Sequence, residues 1–273
     1  MNNLKIAAVC MHSVPLEIEK NLSRIEYLTR EAGDKGADVI CLPELCVTGY
    51  TLKSPGAIYS RSSSEDIISR LRDLAAVYDM IVLAGMIEIS DSAKPFISQV
   101  IAGPKGLLGI YRKSHLSPPE KEVYRAGQDL DIFSHDNISV GVQLCYEAHF
   151  PEISTIMALK GADIIFIPHA SPRGTPQEKI QSWLRHLTGR AFDNALFIIA
   201  CNQAGESENG LIFPGVIIAI DPAGRVISRY DEGTEKMLLV DLDMDELKDI
   251  RKHRMRYFLP NRRPELYGIL SKT

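Results

Sequence analysis

Glu44, Lys113 and Cys145 each stand where a stretch of strand-like sequence ends, and their side chains are those an acyl-transfer site needs: a base, a cation and a nucleophile. Ile138-Ser139-Val140-Gly141-Val142-Gln143-Leu144 alternates apolar with small or polar residues and reads as a strand that Cys145 closes. A helix is expected to open at Pro151-Glu152, since proline suits a first helical turn. A thiol at such a corner is expected to be partly exposed and near helix-terminus N–H groups, two conditions that favour a thiolate. The alternative for Cys145 alone is a small buried hydrophobe. Val39-Ile40-Cys41-Leu42 runs into Pro43-Glu44-Leu45, and Leu107-Leu108-Gly109-Ile110 leads through Tyr111-Arg112 to Lys113-Ser114-His115. A carboxylate at the end of a buried strand has little structural purpose, because Glu is seldom buried unless paired.

His115, His149 and His169 fall near these segments, so a Cys–His hydrolase is the natural rival mechanism. Their spacing matches no zinc motif, and the chemistry above needs neither metal nor cofactor. For His169, in Ile167-Pro168-His169-Ala170-Ser171, a substrate contact and a structural role both stand open.

The elements that must position these residues alternate along the chain. Helices are expected over about Leu16–Ala32, Glu65–Tyr78 and Gln177–Asn194, with a further helix after Pro151. Strands are expected at Ile81–Ile87, Ile97–Ala102, Leu107–Tyr111, Asp163–Pro168, Leu196–Cys201, Ile212–Ile220 and Met237–Val240. The pattern is α/β, and 273 residues with 45% hydrophobic content suit one large domain over 1–273. The stretch from Ser54 to Glu65, rich in Ser, reads either as a lid or as an exposed loop.

A net charge of −4 gives no general attraction to nucleic acid or anionic membranes, and no apolar run approaches the roughly 18–20 residues a spanning helix needs. The first residues read as a strand and not as a signal peptide. Five cysteines without a secretion signal suit a reducing cytoplasm better than a disulfide framework. Arg251, Lys252, Arg254, Arg256, Arg262 and Arg263 make the tail basic. It is expected to pair with the acidic stretch Asp241–Asp249 or to pack, as 251–273, in subunit contacts.

Leu42-Pro43-Glu44-Leu45 with Thr48-Gly49-Tyr50, Tyr111-Arg112-Lys113-Ser114-His115-Leu116, and Cys145-Tyr146-Glu147 with Phe150-Pro151-Glu152 resemble the three catalytic blocks of the nitrilase superfamily, the carbon–nitrogen hydrolases. The likeness continues through Trp183, Arg190-Ala191-Phe192-Asp193-Asn194, Asp221-Pro222-Ala223-Gly224 and Arg262-Arg263-Pro264-Glu265-Leu266-Tyr267. It implies a four-layer αββα sandwich and a homodimer or higher homo-oligomer.

The resemblance also implies roles. Glu44 is the base that takes the thiol proton, Lys113 stabilises the oxyanion with the backbone N–H of Tyr146, and Cys145 carries an acyl-thioester. Glu120, in Ser117-Pro118-Pro119-Glu120-Lys121, holds the lysine; a surface carboxylate is the other reading. Tyr after Cys145, where true nitrilases carry Trp, favours a small linear amide or an N-carbamoyl (ureido) compound over a nitrile. Acyl transfer to another amine and a catalytically silent binding module remain as alternatives. Pocket candidates are Tyr50, Tyr146, His149, His169, Ala170 and Ser171. Arg173 reads either as a clamp for a substrate carboxylate or as a solvated loop residue.

Overall fold

In the computed structural model, residues 3–52, 61–89, 94–207 and 210–271 are described. Most of the Ser54–Glu65 stretch lies outside them; its last residues belong to helix α2 (Arg61–Val77).

Two six-stranded sheets form the centre. The first consists of β1 (Leu4–Cys10), β2 (Val39–Cys41), β3 (Ile81–Glu88), β4 (Phe96–Gly103), β5 (Gly106–Arg112) and β14 (Lys236–Leu242), in the order β14-β1-β2-β3-β4-β5. β1, β2 and β3 run parallel, while β14 and β4 flank them antiparallel. The second consists of β6 (Ile132–His135), β7 (Ile138–Val142), β8 (Ile164–His169), β9 (Phe197–Asn202), β12 (Ile217–Ile220) and β13 (Val226–Tyr230), in the order β13-β12-β9-β8-β7-β6. Its parallel centre is β7-β8-β9. A ribbon of β10 (Ala204–Glu206) and β11 (Ile212–Pro214) stands apart.

Alternation along β1 explains the layering. Ile6, Ala8 and Cys10 join Val142, Ile165 and Ile198 in the core that includes the inner faces of both sheets. Ala7 and Val9 point the other way, onto Leu22, Ile25, Leu28 and Ala32 of α1 (Ile18–Asp34) and Ile67, Leu71 and Ala75 of α2. Those helical positions recur every three or four residues, so each helix buries one stripe. On the far side, α4 (Pro151–Leu159), α5 (Pro176–Leu184) and α6 (Leu187–Asn194) cover the second sheet. The result is the expected αββα sandwich.

Several expected elements differ. The helix over Gln177–Asn194 is two helices, because the chain leaves helical geometry at His186, where φ is −131°. The strand over Ile212–Ile220 splits into β11 and β12. Pro214 supplies no ladder N–H, and Gly215 turns with φ +49°, where a Cβ would lie 2.8 Å from the Gly233 backbone. Within the tail, Arg251 has partners other than the acidic stretch. Arg251, near the end of α7 (Met244–Lys252), does not pair within Asp241–Asp249 but reaches Asp163 at 2.6 Å and the carbonyls of Ala162 and Ala195. Glu246 is taken by Arg225. No helix among the described residues is long and apolar enough to cross a membrane.

Candidate functional site

Glu44, Lys113 and Cys145 all stand beyond the carboxyl ends of strands, on the two facing sheets. Glu44 follows β2 in a tight turn. Leu45 holds φ +56°, and the Glu44 carbonyl accepts from Gln203 Nε2 at 2.8 Å. The turn crosses β3 at Gly85 so closely that a Cβ there would sit 2.3 Å from Leu45 N. Lys113 leaves β5 with its backbone pinned at both ends, N–H to the Ile97 carbonyl and C=O to the Gly127 N–H.

Glu44, Lys113 and Glu120 make direct contact below the surface. Lys113 Nζ donates to Glu44 Oε1 at 2.8 Å and to Glu120 Oε1 at 2.9 Å, and its side chain has no exposure. Glu120 lies on α3 (Pro118–Val123), and its Oε2 accepts from the Ser117 N–H at 2.7 Å. The surface-carboxylate reading of Glu120 therefore falls. Glu44 Oε2 accepts from the Ala170 N–H at 2.8 Å. Burial raises the Glu44 pKa and the Glu120 charge adds to this, against the pull of Lys113. For Lys113, burial works against the charge, but the carboxylates of Glu44 and Glu120 outweigh it and hold the ammonium protonated.

Cys145 opens a 3-10 turn over Cys145–His149 with φ +47°, a left-handed conformation that costs a non-glycine residue on the order of 1–3 kcal/mol. Its thiol is not the lowered one expected. Burial pushes it up to about 12, and Glu44 adds to this, while Lys113 and Lys179 pull the other way. Its position at a corner leaves it half-buried, but desolvation and the neighbouring carboxylates disfavour a resting thiolate.

Glu147, quoted in the sequence only as part of a motif, is the buried bracket of the site. Its Oε1 accepts from Tyr111 OH at 2.8 Å, Ser114 N at 2.7 Å and His115 N at 3.3 Å, and its Oε2 from Leu144 N at 2.6 Å. One carboxylate thus ties the residue before Cys145 to the two residues after Lys113. A glutamate two places after a strand-end cysteine was the available signal.

The pocket candidates divide. Tyr50 is half-buried, and its hydroxyl pKa is raised by burial, by Glu120 and by Glu44. Tyr146 packs edge-on to His149 and Phe150 and lines, with Ser114, His115 and Tyr124, a cleft of about 450 Å³. His149 packs on His186, and burial lowers both pKa values, that of His186 to about 4. His169 is buried against Trp183, with Nδ1 bonded to the Ile167 carbonyl, and burial holds it neutral. Ala170 meets Glu44 through its backbone. Ser171 is fixed by two hydrogen bonds with the Asn202 side chain and accepts one from Lys179. Arg173 is exposed. Among the described residues, no group of three or more His, Cys, Asp or Glu side chains is placed to hold a metal.

Lys179, Asn202 and Gln203 escaped the sequence reading. Only Lys179 carried a signal, a lysine four residues before Trp183 on the inward stripe of α5.

Proteins similar to this chain include a nitrilase and several amidases. A nitrilase of Pyrococcus abyssi is 31% identical over 97% of this chain and 99% of its own. An N-carbamoylputrescine amidase of Arabidopsis thaliana is 28% identical over 93% of this chain and 91% of its own. The solved C145A mutant of the amidase from Nesterenkonia sp. AN1, in complex with butyramide, superposes with a TM-score of 0.82 at 25% identity, covering 97% of this chain and 96% of that one. The sequence model described as carbon-nitrogen hydrolase matches residues 5–252, and the chain belongs to that family of hydrolases, within the nitrilase superfamily.

Proposed function

We propose that the protein hydrolyses a non-peptide C–N bond of a small linear amide through an acyl-thioester on Cys145. The observation that carries this reading is the Lys113 ammonium held between Glu44 and Glu120 in a buried pocket, within electrostatic reach of the Cys145 thiol.

A thiol near 12 is not ionised at neutral pH, so its proton leaves as the nucleophile attacks. Glu44 takes the Sγ–H proton while Sγ bonds to the carbonyl carbon, and the C=O π pair moves onto oxygen. An ammonium has three donors, and Lys113 gives two to carboxylates. The third remains for the oxyanion, together with the N–H of Tyr146, an early residue of a turn whose first N–H groups have no partner within it. The oxyanion collapses, the C–N bond breaks, and Glu44 returns its proton to the departing nitrogen. Water then gives a proton to Glu44 and attacks the thioester. The C–S bond breaks, and the sulfur recovers its proton.

A ureido substrate passes through the same steps, and the carbamoylputrescine relative supports testing it. The experiment is ammonia release from aliphatic amides, ω-amides, N-carbamoyl amino acids and nitriles, with intact-mass detection of the adduct. Release that Cys145→Ala abolishes, with an acyl adduct on the wild type, is expected. Silence across the panel with Cys145 inert to alkylation would instead favour a binding module.

A further inference from the structure

Among the described residues, Lys179 is a buried cation without a carboxylate partner. α5 starts firmly: Thr175 Oγ1 accepts from Glu178 N at 3.2 Å, Glu178 Oε2 accepts from Thr175 N at 2.8 Å, and Pro176 sets the first turn. That fixes Lys179 beside Ile180 and Trp183 on the inward face, with only 9% exposure. Its Nζ donates to Ser171 Oγ at 2.6 Å. Among the described residues, no Asp or Glu oxygen lies within 4.0 Å of it. Lysine is seldom this buried unless paired, because desolvating an ammonium is costly. Lys113 shows the usual remedy, with two carboxylates. Lys179 has one neutral hydroxyl, which leaves two N–H donors unused.

Its surroundings belong to the site. Ser171 follows Ala170, whose N–H binds Glu44, and Asn202 holds Ser171 from both sides. The Lys179 charge acts on the Cys145 thiol, on His149 and on His169, and Arg173 adds positive charge next to it. The two acidic side chains of the site already share Lys113, so they leave Lys179 uncompensated.

We infer that Lys179, steadied by Ser171, is the anchor for an anionic group of the substrate. The preferred substrate is then a small amide or ureide that carries a carboxylate a few carbons from the scissile carbonyl. This rests on the amide-hydrolase reading above and narrows it. A neutral acyl chain leaves the ammonium unpaired, and a cationic one sets like charges together. The competing role for Lys179 is to ease ionisation of Cys145, which would help every substrate alike.

Three amides of matched length separate these roles: glutaramate, its methyl ester and 5-aminopentanamide. For the wild type, kcat/KM is expected to fall in that order. Lys179→Met is expected to lower glutaramate turnover about ten- to a hundredfold more than ester turnover, the worth of a charged hydrogen bond, mainly through KM. Lys179→Arg is expected to recover part of the loss. Wild-type preference for the ester or the amine overturns the inference even if the variants fail to fold. So does an equal fall for all three substrates in Lys179→Met, since that marks an effect on the thiol. Silence toward all three and toward the wider panel, with Cys145 inert to alkylation, removes the hydrolase reading, and this inference with it. Turnover of neutral amides without preference for the anion removes this inference alone.

Discussion

Replacing Glu147 by Gln changes one atom of the bracket between the two proposed catalytic segments. The carboxylate accepts from Tyr111, Ser114 and His115 through one oxygen and from Leu144 through the other. A glutamine keeps one acceptor oxygen, so its NH2 must face one of these donor sets. The cheaper arrangement turns it toward Leu144, leaving a buried backbone N–H without an acceptor at a cost of about 1–3 kcal/mol. The other bonds survive but lose charge assistance, which weakens each. Together these amount to about 2–4 kcal/mol. For a chain of this size, the unfolding midpoint should then fall by roughly 3–7 °C. Leu144 precedes Cys145 and Ser114 follows Lys113, so loosening also shifts nucleophile against cation. A misplacement of about 1 Å costs on the order of a hundredfold in rate. Calorimetry and steady-state ammonia release measure the two effects. A wild-type midpoint with kcat within twofold of wild type refutes the bracket altogether. A lowered midpoint with full kcat leaves Glu147 a structural residue only.

The raised pKa of Glu44 has a definite sign in the pH profile. The base form is lost as pH falls through the folded value, so the acid limb of kcat/KM is expected above the ordinary 4.5, and a limb below 4.5 contradicts it. With the thiol pushed up to about 12, Cys145 alkylation should keep accelerating with pH well beyond 9, and a plateau there would show an ordinary thiol. Gly85→Ala places a Cβ 2.3 Å from Leu45 N and 2.9 Å from the Glu44 carbonyl carbon, both backbone atoms that cannot swing aside. Overpacking of this kind costs about 1–3 kcal/mol, and displacement of Glu44 should reduce kcat about a hundredfold. Wild-type turnover in this variant would mean that the turn can move without consequence.

The reactive residues were legible because each abuts a run of strand-forming sequence, and a polar residue there stands out. Glu120 required the family likeness, since Pro-Pro followed by charges is ordinary loop composition. Glu147 was hidden by distance: Tyr111, Ser114 and His115 lie 32 to 36 residues away in the chain. Lys179 was hidden by type, because a lysine on an amphipathic helix normally reads as solvated. The protonation of Cys145 was misread for a related reason. Exposure at a strand-to-helix corner is local, whereas burial among Glu44 and Glu120 comes from the opposing sheet. The break between β11 and β12 depended on Gly215 turning the chain beside Gly233, a contact no local pattern encodes.

Pairing of Leu4 opposite Leu242 gives the first sheet an unusual relation to protein synthesis. β1 leaves the ribosome well ahead of its outer partner β14, with the rest of both sheets made in between. Glu44 and Lys113 emerge before Cys145, but the sheet that carries them gains β14 only once Lys236–Leu242 has been made. Such distant pairing is slow to form, because a long loop must close first. While β14 is still unmade, the sheet behind Glu44 and Lys113 therefore lacks its edge strand. The order of synthesis thus puts the edge that closes the first sheet after every residue of the candidate site.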